Sequence, residues 1–206
     1  MCIRDRIGGD QVNKAFEKLL TELFGVQVMT KFTSSMPSDY LELRQTFEVK
    51  KRAFSGENKL GIIIPLSLMD IFKEEMGKDF INIIKQSKFS EQIEFRNMKI
   101  FLSADMLKNL FDIPYRQIKS YVHDALQTPQ MINTKYIIMV GGFSESTFLQ
   151  NMMKKEFPDI HVIIPPEPEL ATVKGAVLFG HKGREISVID RTPCTRVEKF
   201  INIFKK

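Results

Sequence analysis

Tryptophan is absent from this 206-residue chain, cysteine occurs twice and histidine three times. The cysteines, Cys2 and Cys194, stand near opposite ends. That spacing argues against a disulfide framework and fits a reduced, intracellular setting. No Cys/His pairing has the spacing of a zinc site, so no metal ligands are expected. No apolar run reaches the length of a transmembrane helix. The opening MCIRDRIGGD has no apolar core of a secretory signal. Runs of five or more basic residues are also missing, although the formal charge is +5. The usual nucleic-acid-binding arm is therefore absent, and the scattered positive charge suits a nucleotide as well as DNA. Neither nucleic acid nor membrane is expected as a partner.

What is present is a chain that is 43% hydrophobic, enough for one compact domain or one lobe with two subdomains. Helical and strand patterns alternate. After Gly8-Gly9, residues 11–24 place Val12, Phe16, Leu19, Leu20 and Leu23 at helical spacing, and Gly25 ends the run. A second helix is expected over 39–54, with Leu41, Leu43, Phe47 and Val49 as its apolar positions. Lys50, Lys51 and Arg52 fall in its last turn, where cations suit the helix dipole. LGIIIPL at 60–66 reads as a strand, and 67–86 reads as helix interrupted at Gly77. One or two strands are expected over 91–102. Ser103 is placed to cap a long helix to about residue 127, which Pro114 should start, kink or divide.

The last third is the clearest. YIIMV at 136–140 is a buried-strand pattern that runs into Gly141-Gly142. Ser144 is expected to cap a helix over 145–157, closed by Pro158. Residues 161–164 read as a strand and 169–179 as a helix, whose Ala171, Gly175 and Ala176 would permit close packing. The order strand, helix, strand, helix argues for an α/β fold.

A strand entering Gly-Gly and then a helix start suits an anion or nucleotide. Glycine lets the ligand reach the backbone, and free amides favour negative charge. A tight turn with no ligand gives the same local pattern. It is neither a P-loop nor a G-x-G-x-x-G fingerprint. Likewise, Lys50-Lys51-Arg52 read alone fits a solvated helix end. His123 lacks partners at useful spacing for a catalytic or metal role, His161 lies in a strand and reads as structural, and His181 follows a helix end.

VGGFSES at 140–146, followed by Leu149-Gln150, resembles the adenosine-binding turn of the 70-kDa heat-shock and actin-like ATPase superfamily. EPELATVKGAV at 167–177 resembles that family's Pro-Asp-Glu-Ala-type helix, at the expected distance. The phrases VGGF, LQ, IIIP and KGAVLFG are similar to the divergent branch called heat shock 70 kDa protein 12. The resemblance extends from about residue 8 to about residue 189. Gly8-Gly9-Asp10-Gln11-Val12 resembles the family's Gly-Gly-Glu-Asp-Phe turn, and Glu48, Lys51, Arg52 and Ser55 resemble its Glu-x-x-Lys-Arg-x-x-Ser pattern. Departures stand at Glu145, where the family has Arg, at Glu169, where it has Asp, and at Asn13, also Asp in the family.

The resemblance implies the second lobe of an actin-like ATPase (ribonuclease H-like) nucleotide-binding domain with an inserted α+β subdomain. The core subdomain would comprise 7–38 and 103–190, and the insert 39–102. Segments 1–6 and 191–206 lie outside the family pattern and are expected to be non-family termini of a partial chain. An upstream coding region carrying Asp-x-Gly hairpins would bear this out. The implied ligand is ATP or ADP, with Mg2+ held only through the nucleotide. The implied nucleotide-binding residues are Gly8, Gly9, Asp10, Glu48, Lys51, Arg52 and Ser55, together with Gly141, Gly142, Phe143, Ser144, Glu145 and Glu169. No catalytic residue is assigned, because phosphoryl transfer needs metal-binding carboxylates and a phosphate loop, and no Asp-x-Gly-Gly-Gly-Thr-type hairpin is found. The chain alone is expected not to hydrolyse ATP. A cytoplasmic setting and protein partners or co-chaperones are further implications of the resemblance. The alternative is a non-enzymatic protein-interaction module that keeps the fold without nucleotide.

Overall fold

The computed structural model describes residues 7–182 and 201–202. Two compact units are distinguished, 1–114 and 115–206. Cys2, Cys194 and the two terminal segments, apart from residues 201–202, lie outside the described residues.

The first unit opens with three helices, α1 (Gly9–Phe24), α2 (Val26–Ser35) and α3 (Pro37–Arg52). All five apolar positions expected of α1 are buried. Gly25 separates α1 from α2 at φ 92°, a conformation that favours glycine. The sequence pattern does not announce α2. It buries only Val28, Met29 and Phe32, and β-branched and hydroxyl residues dilute the rest.

In α3 the expected apolar face is half right. Leu43 and Phe47 are buried, but Leu41 and Val49 are 52% and 70% exposed. The buried stripe continues from Leu43 and Phe47, four residues on, to Lys51. Helices α1 and α3 run antiparallel. Phe16 stacks on Phe47 at 4.0 Å between centroids, Arg44 Nε pairs with Glu17 at 2.7 Å, and Lys51 reaches Gly9.

The rest of this unit is a three-stranded antiparallel sheet with helices packed on it. Strands β1 (Leu60–Ile63), β2 (Ile93–Arg96) and β3 (Lys99–Leu102) take the order β1-β3-β2. Gly61 sits opposite Phe101, whose ring leaves no room for a side chain. Asn97 and Met98 close the β2–β3 hairpin at φ 51° and 59°, the two-residue turn that matches strand twist. Helices α4 (Leu66–Met76) and α5 (Phe80–Gln86) are separated by Gly77 in the left-handed conformation, as its expected role as a breaker requires. Phe80 centres an aromatic cluster. It stacks on Phe24 at 4.3 Å and meets Phe72 and Phe95 edge-on at 5.2 and 5.0 Å.

Helix α6 (Ala104–Leu126) is capped by Ser103, which accepts from the Met106 amide at 3.2 Å. It continues through Pro114, and the boundary between the units falls on that residue.

In the second unit, β4 (Tyr136–Met139) pairs in parallel with β5 (His161–Ile163) and antiparallel with β6 (Ile201–Asn202). Helix α7 (Thr147–Glu156) connects β4 to β5, a βαβ unit. Val122, Ile137, Met139, Leu149, Met153 and Phe157 form its core. The expected mixed α/β class holds, and the helix α8 (Ala171–Lys182) follows. The close packing that Ala171, Gly175 and Ala176 would permit is not found among the described residues. Gly175 and Ala176 face solvent, as do Val173, Val177, Leu178 and Phe179.

Candidate functional site

Within the first unit, the fold gathers residues 35 to 42 positions apart in sequence. The apolar α1–α3 seam ends at the Phe16–Phe47 stack. One turn further on, at the start of α1 and the end of α3, polar groups replace it. Lys51 Nζ donates to three acceptors: Gly9 O at 2.7 Å, Asn13 Oδ1 at 2.7 Å and Glu48 Oε2 at 2.5 Å. An ammonium has three hydrogens, so this set is complete. The Lys51 side chain is 2% exposed. Asn13 Nδ2 also donates to Glu48 Oε2, at 2.7 Å, and Arg52 Nε lies 3.3 Å from Glu48 Oε1.

Burial of Lys51 disfavours its charged form and sets the direction of its shift. The hydrogen bond and charge of Glu48 offset only part of that, so Lys51 titrates below its ordinary value. Burial pushes the Glu48 carboxyl up, but hydrogen bonds from Lys51, Asn13 and Arg52 prevail, and it titrates below the usual range. The two directions agree with one picture: Lys51 gives up more hydration than Glu48 does.

The other candidates in this unit sit nearer to water. Arg52 is 46% exposed. Asp10 pairs with Lys14 at 3.1 Å and lies 3.9 Å from Arg44. Ser55 follows the end of α3, its hydroxyl 3.2 Å from Asn58 Oδ1. Gly8 is extended and offers α1 no side-chain cap. The basic run is therefore only in part a solvated helix end: Arg52 is exposed, but Lys51 is buried and Lys50 donates to the Gly61 carbonyl of β1.

In the second unit the two glycine-containing motifs meet. The Gly141 amide donates to Pro168 O at 2.7 Å, which brings the segment before α8 against the turn after β4. Gly141 has φ 93°, and a Cβ added to either Gly141 or Gly142 would meet nothing within 4 Å. Phe143 leans on the core of the unit. Among the described residues Glu169 Oε2 is shut off from solvent without a hydrogen-bond partner, an acceptor suited to a donating ligand group.

One expectation is corrected here. Ser144 does not cap a helix. Gly142–Glu145 form a 3-10 turn, and Ser144 Oγ donates back to Val140 O at 2.9 Å. The cap of α7 is Ser146, whose hydroxyl accepts from the Leu149 amide at 3.4 Å. Thus α7 begins at Thr147, beyond the 3-10 turn, and not at the glycines.

The role of Asn13 is what sequence reasoning passed over. Its position one turn after Gly9, opposite a lysine that extends an apolar stripe, was the available signal. His123 gains a partner that spacing could not reveal. Its Nε2 lies 3.0 Å from Glu156 Oε1, which also meets Lys119 Nζ at 2.8 Å, while Tyr115 donates to Glu156 Oε2 at 3.2 Å.

Two comparisons decide the relationship. Heat shock 70 kDa protein 12A of Mus musculus is 33% identical over 192 residues, covering 89% of this chain. Heat shock 70 kDa protein 12B of Homo sapiens is 28% identical over 207 residues, covering 96%. The chain is a relative of the heat shock 70 kDa protein 12 branch of the 70-kDa heat-shock family. It spans 28% and 29% of the length of those two relatives. No family model matches it, and no solved structure matches it. In this heat shock 70 kDa protein 12 relative, no described helix is long and apolar enough to cross a membrane.

Proposed function

We propose that this chain carries the adenosine side of an ATP or ADP site within an actin-like, second-lobe fold whose inserted subdomain covers 39–102. The observation that carries this reading is the network at the start of α1. Residues that the family resemblance assigns to the nucleotide, Gly9, Glu48, Lys51 and Arg52, come together there although far apart in sequence. The chemistry of the set suits an adenosine. A guanidinium stacks on a purine face, a carboxylate accepts from ribose hydroxyls, and an uncapped helix start favours phosphate. In the second unit, the orphaned Glu169 oxygen and the open backbone at Gly142 suit a nucleotide as well.

In this reading Arg52 and Glu48 contact the nucleoside, Ser55 adds a hydroxyl, and Asp10 flanks the first turn of α1. Magnesium enters only with the nucleotide. The chain does not hydrolyse ATP by itself, and a cytoplasmic, chaperone-related setting follows from the same family likeness. Calorimetric titration with ADP, beside an Arg52→Ala variant, tests this. Weak binding that the substitution abolishes supports the reading, and absence of binding to both proteins at millimolar ADP refutes it.

A second reading has its own observation. Val173, Val177, Leu178 and Phe179 of α8 are 49–60% exposed, an apolar surface of the kind that protein partners cover. Self-association that Val177→Asp abolishes, without nucleotide binding, would favour it.

A further inference from the structure

The antiparallel sheet of the first unit has β1 at one edge and β2 at the other. The ladder decides which peptide groups each edge presents. Ser103 N donates to Gln92 O at 2.8 Å, so Glu94 and Arg96 are the residues of β2 that bond β3, and Ile93 and Phe95 turn their peptide groups outward. On the opposite side, Ile64 N donates to Met98 O at 2.9 Å, which turns Gly61 of β1 outward. The Gly61 carbonyl takes the Lys50 ammonium from α3, so that edge is covered there. On β2, the Ile93 amide is held by Phe89 O at 2.9 Å. Among the described residues none bonds the outward N–H and C=O of Phe95.

The charges on this edge are arranged symmetrically about Phe95. Glu94 and Arg96 share one face of β2, 52% and 63% exposed. The Phe95 ring is turned to the other face, against Phe80. The start of the strand is acidic, where Glu91 and Glu94 line a hollow with Lys59. Its end is basic, where Arg96 stands opposite Lys99. Charges on an edge strand ordinarily discourage a further strand. Here they repel a parallel copy and attract an antiparallel one.

We propose that β2 is a self-pairing edge: a second copy of this chain adds its own β2 antiparallel, with Phe95 opposite Phe95, to give a continuous six-stranded sheet. In that register the two Phe95 residues exchange two N–H···O=C bonds, and Glu94 of each copy faces Arg96 of the other. The Phe95 rings stay in the aromatic cluster of their own copy. Two backbone bonds and two exposed ion pairs make a weak dimer that salt loosens. The pairing stands apart from the nucleotide reading and does not depend on it.

The test is sedimentation of the full chain over a concentration series, for the native protein, Glu94→Arg, Arg96→Glu and the double exchange. Both side chains are exposed, so all four monomers should give the same far-ultraviolet circular dichroism. The native chain is expected to dimerise at high concentration, and less so in high salt. Each single exchange sets two like-charged pairs across the joint and is expected to weaken the dimer about tenfold. The double exchange restores both attractions. An equimolar mixture of the two single variants does so as well, and should form the mixed dimer in preference to either like pair. A chain that stays monomeric at millimolar concentration overturns the proposal. A dimer that the single exchanges leave unchanged also overturns it, as does one that Val177→Asp abolishes, which would place the joint on α8.

Discussion

Lys51 Nζ stands 2.7 Å from the carbonyl oxygen of Gly9, 42 residues earlier in the chain. That single bond ties the end of α3 to the beginning of α1. It also satisfies a backbone acceptor at the helix start with a donor from the far end of the seam.

Removing it should be costly. Lys51→Met keeps the buried stem and deletes the ammonium, so Gly9 O, Asn13 Oδ1 and Glu48 Oε2 lose a donor together. Chemical denaturation at pH 7 should show a loss of about 1–3 kcal/mol. The native protein has a second signature. Because Lys51 titrates lower when folded than unfolded, the unfolded state holds more protons below pH 10.5, and stability rises as pH climbs through that window. Lys51→Met should lack this rise.

Glu156 makes a prediction in acid. Hydrogen bonds from Lys119, His123 and Tyr115 outweigh its burial and hold its carboxyl at about 2, against 4.5 for an ordinary glutamate. A depressed carboxyl stabilises the fold above its unfolded value and loses that effect as pH falls toward its folded value. Native stability should therefore drop between pH 4.5 and pH 2, and Glu156→Gln should be less stable at pH 7 with a flatter acid limb. An identical acid limb in both proteins would remove Glu156 from the account. Tyr115, pushed up to about 12 by burial and the Glu156 charge, should titrate lower in the same variant.

The first sheet depends on a missing side chain. A Cβ on Gly61 would lie 2.8 Å from the Phe101 ring. Gly61→Ala should destabilise by about 1–3 kcal/mol, and Phe101→Leu in the same chain should recover part of the loss. A purely additive double mutant would show that the two residues do not meet.

The hairpin turn carries strain that can be relieved. Met98 adopts φ 59°, and its predecessor Asn97 adopts 51°. Asparagine tolerates this region but methionine does not. Met98→Gly should raise stability by about 1 kcal/mol, read from the urea midpoint at constant slope.

Much of this architecture was legible in the sequence because one signal dominated locally. Val12, Phe16 and Leu20 share one face of α1 whatever surrounds them, and Gly77 ends α4 by its own conformational freedom. The failures are equally local in origin. Leu41 and Val49 look like core residues, but the seam that covers α3 follows Leu43, Phe47 and Lys51 at four-residue steps, and the third member is a charged residue. Periodicity counts apolar residues and so misses a lysine that is buried because three acceptors await it. Ser144 and Ser146 both precede a helical pattern, and only the path of the chain after Gly142 decides which one caps. The Gly141–Pro168 contact and the Glu156 cluster were beyond reach, since each joins segments that no spacing rule connects.

The central claim is that Gly8–Asp10 and Glu48–Ser55 face an adenine nucleotide. It is tested most directly by titrating ADP into isotopically labelled protein and following backbone amide shifts. The account predicts saturable shifts at Gly9, Asp10, Arg52 and Ser55, and their loss in Arg52→Ala. Shifts confined to other surfaces, or none at millimolar ADP, would contradict it.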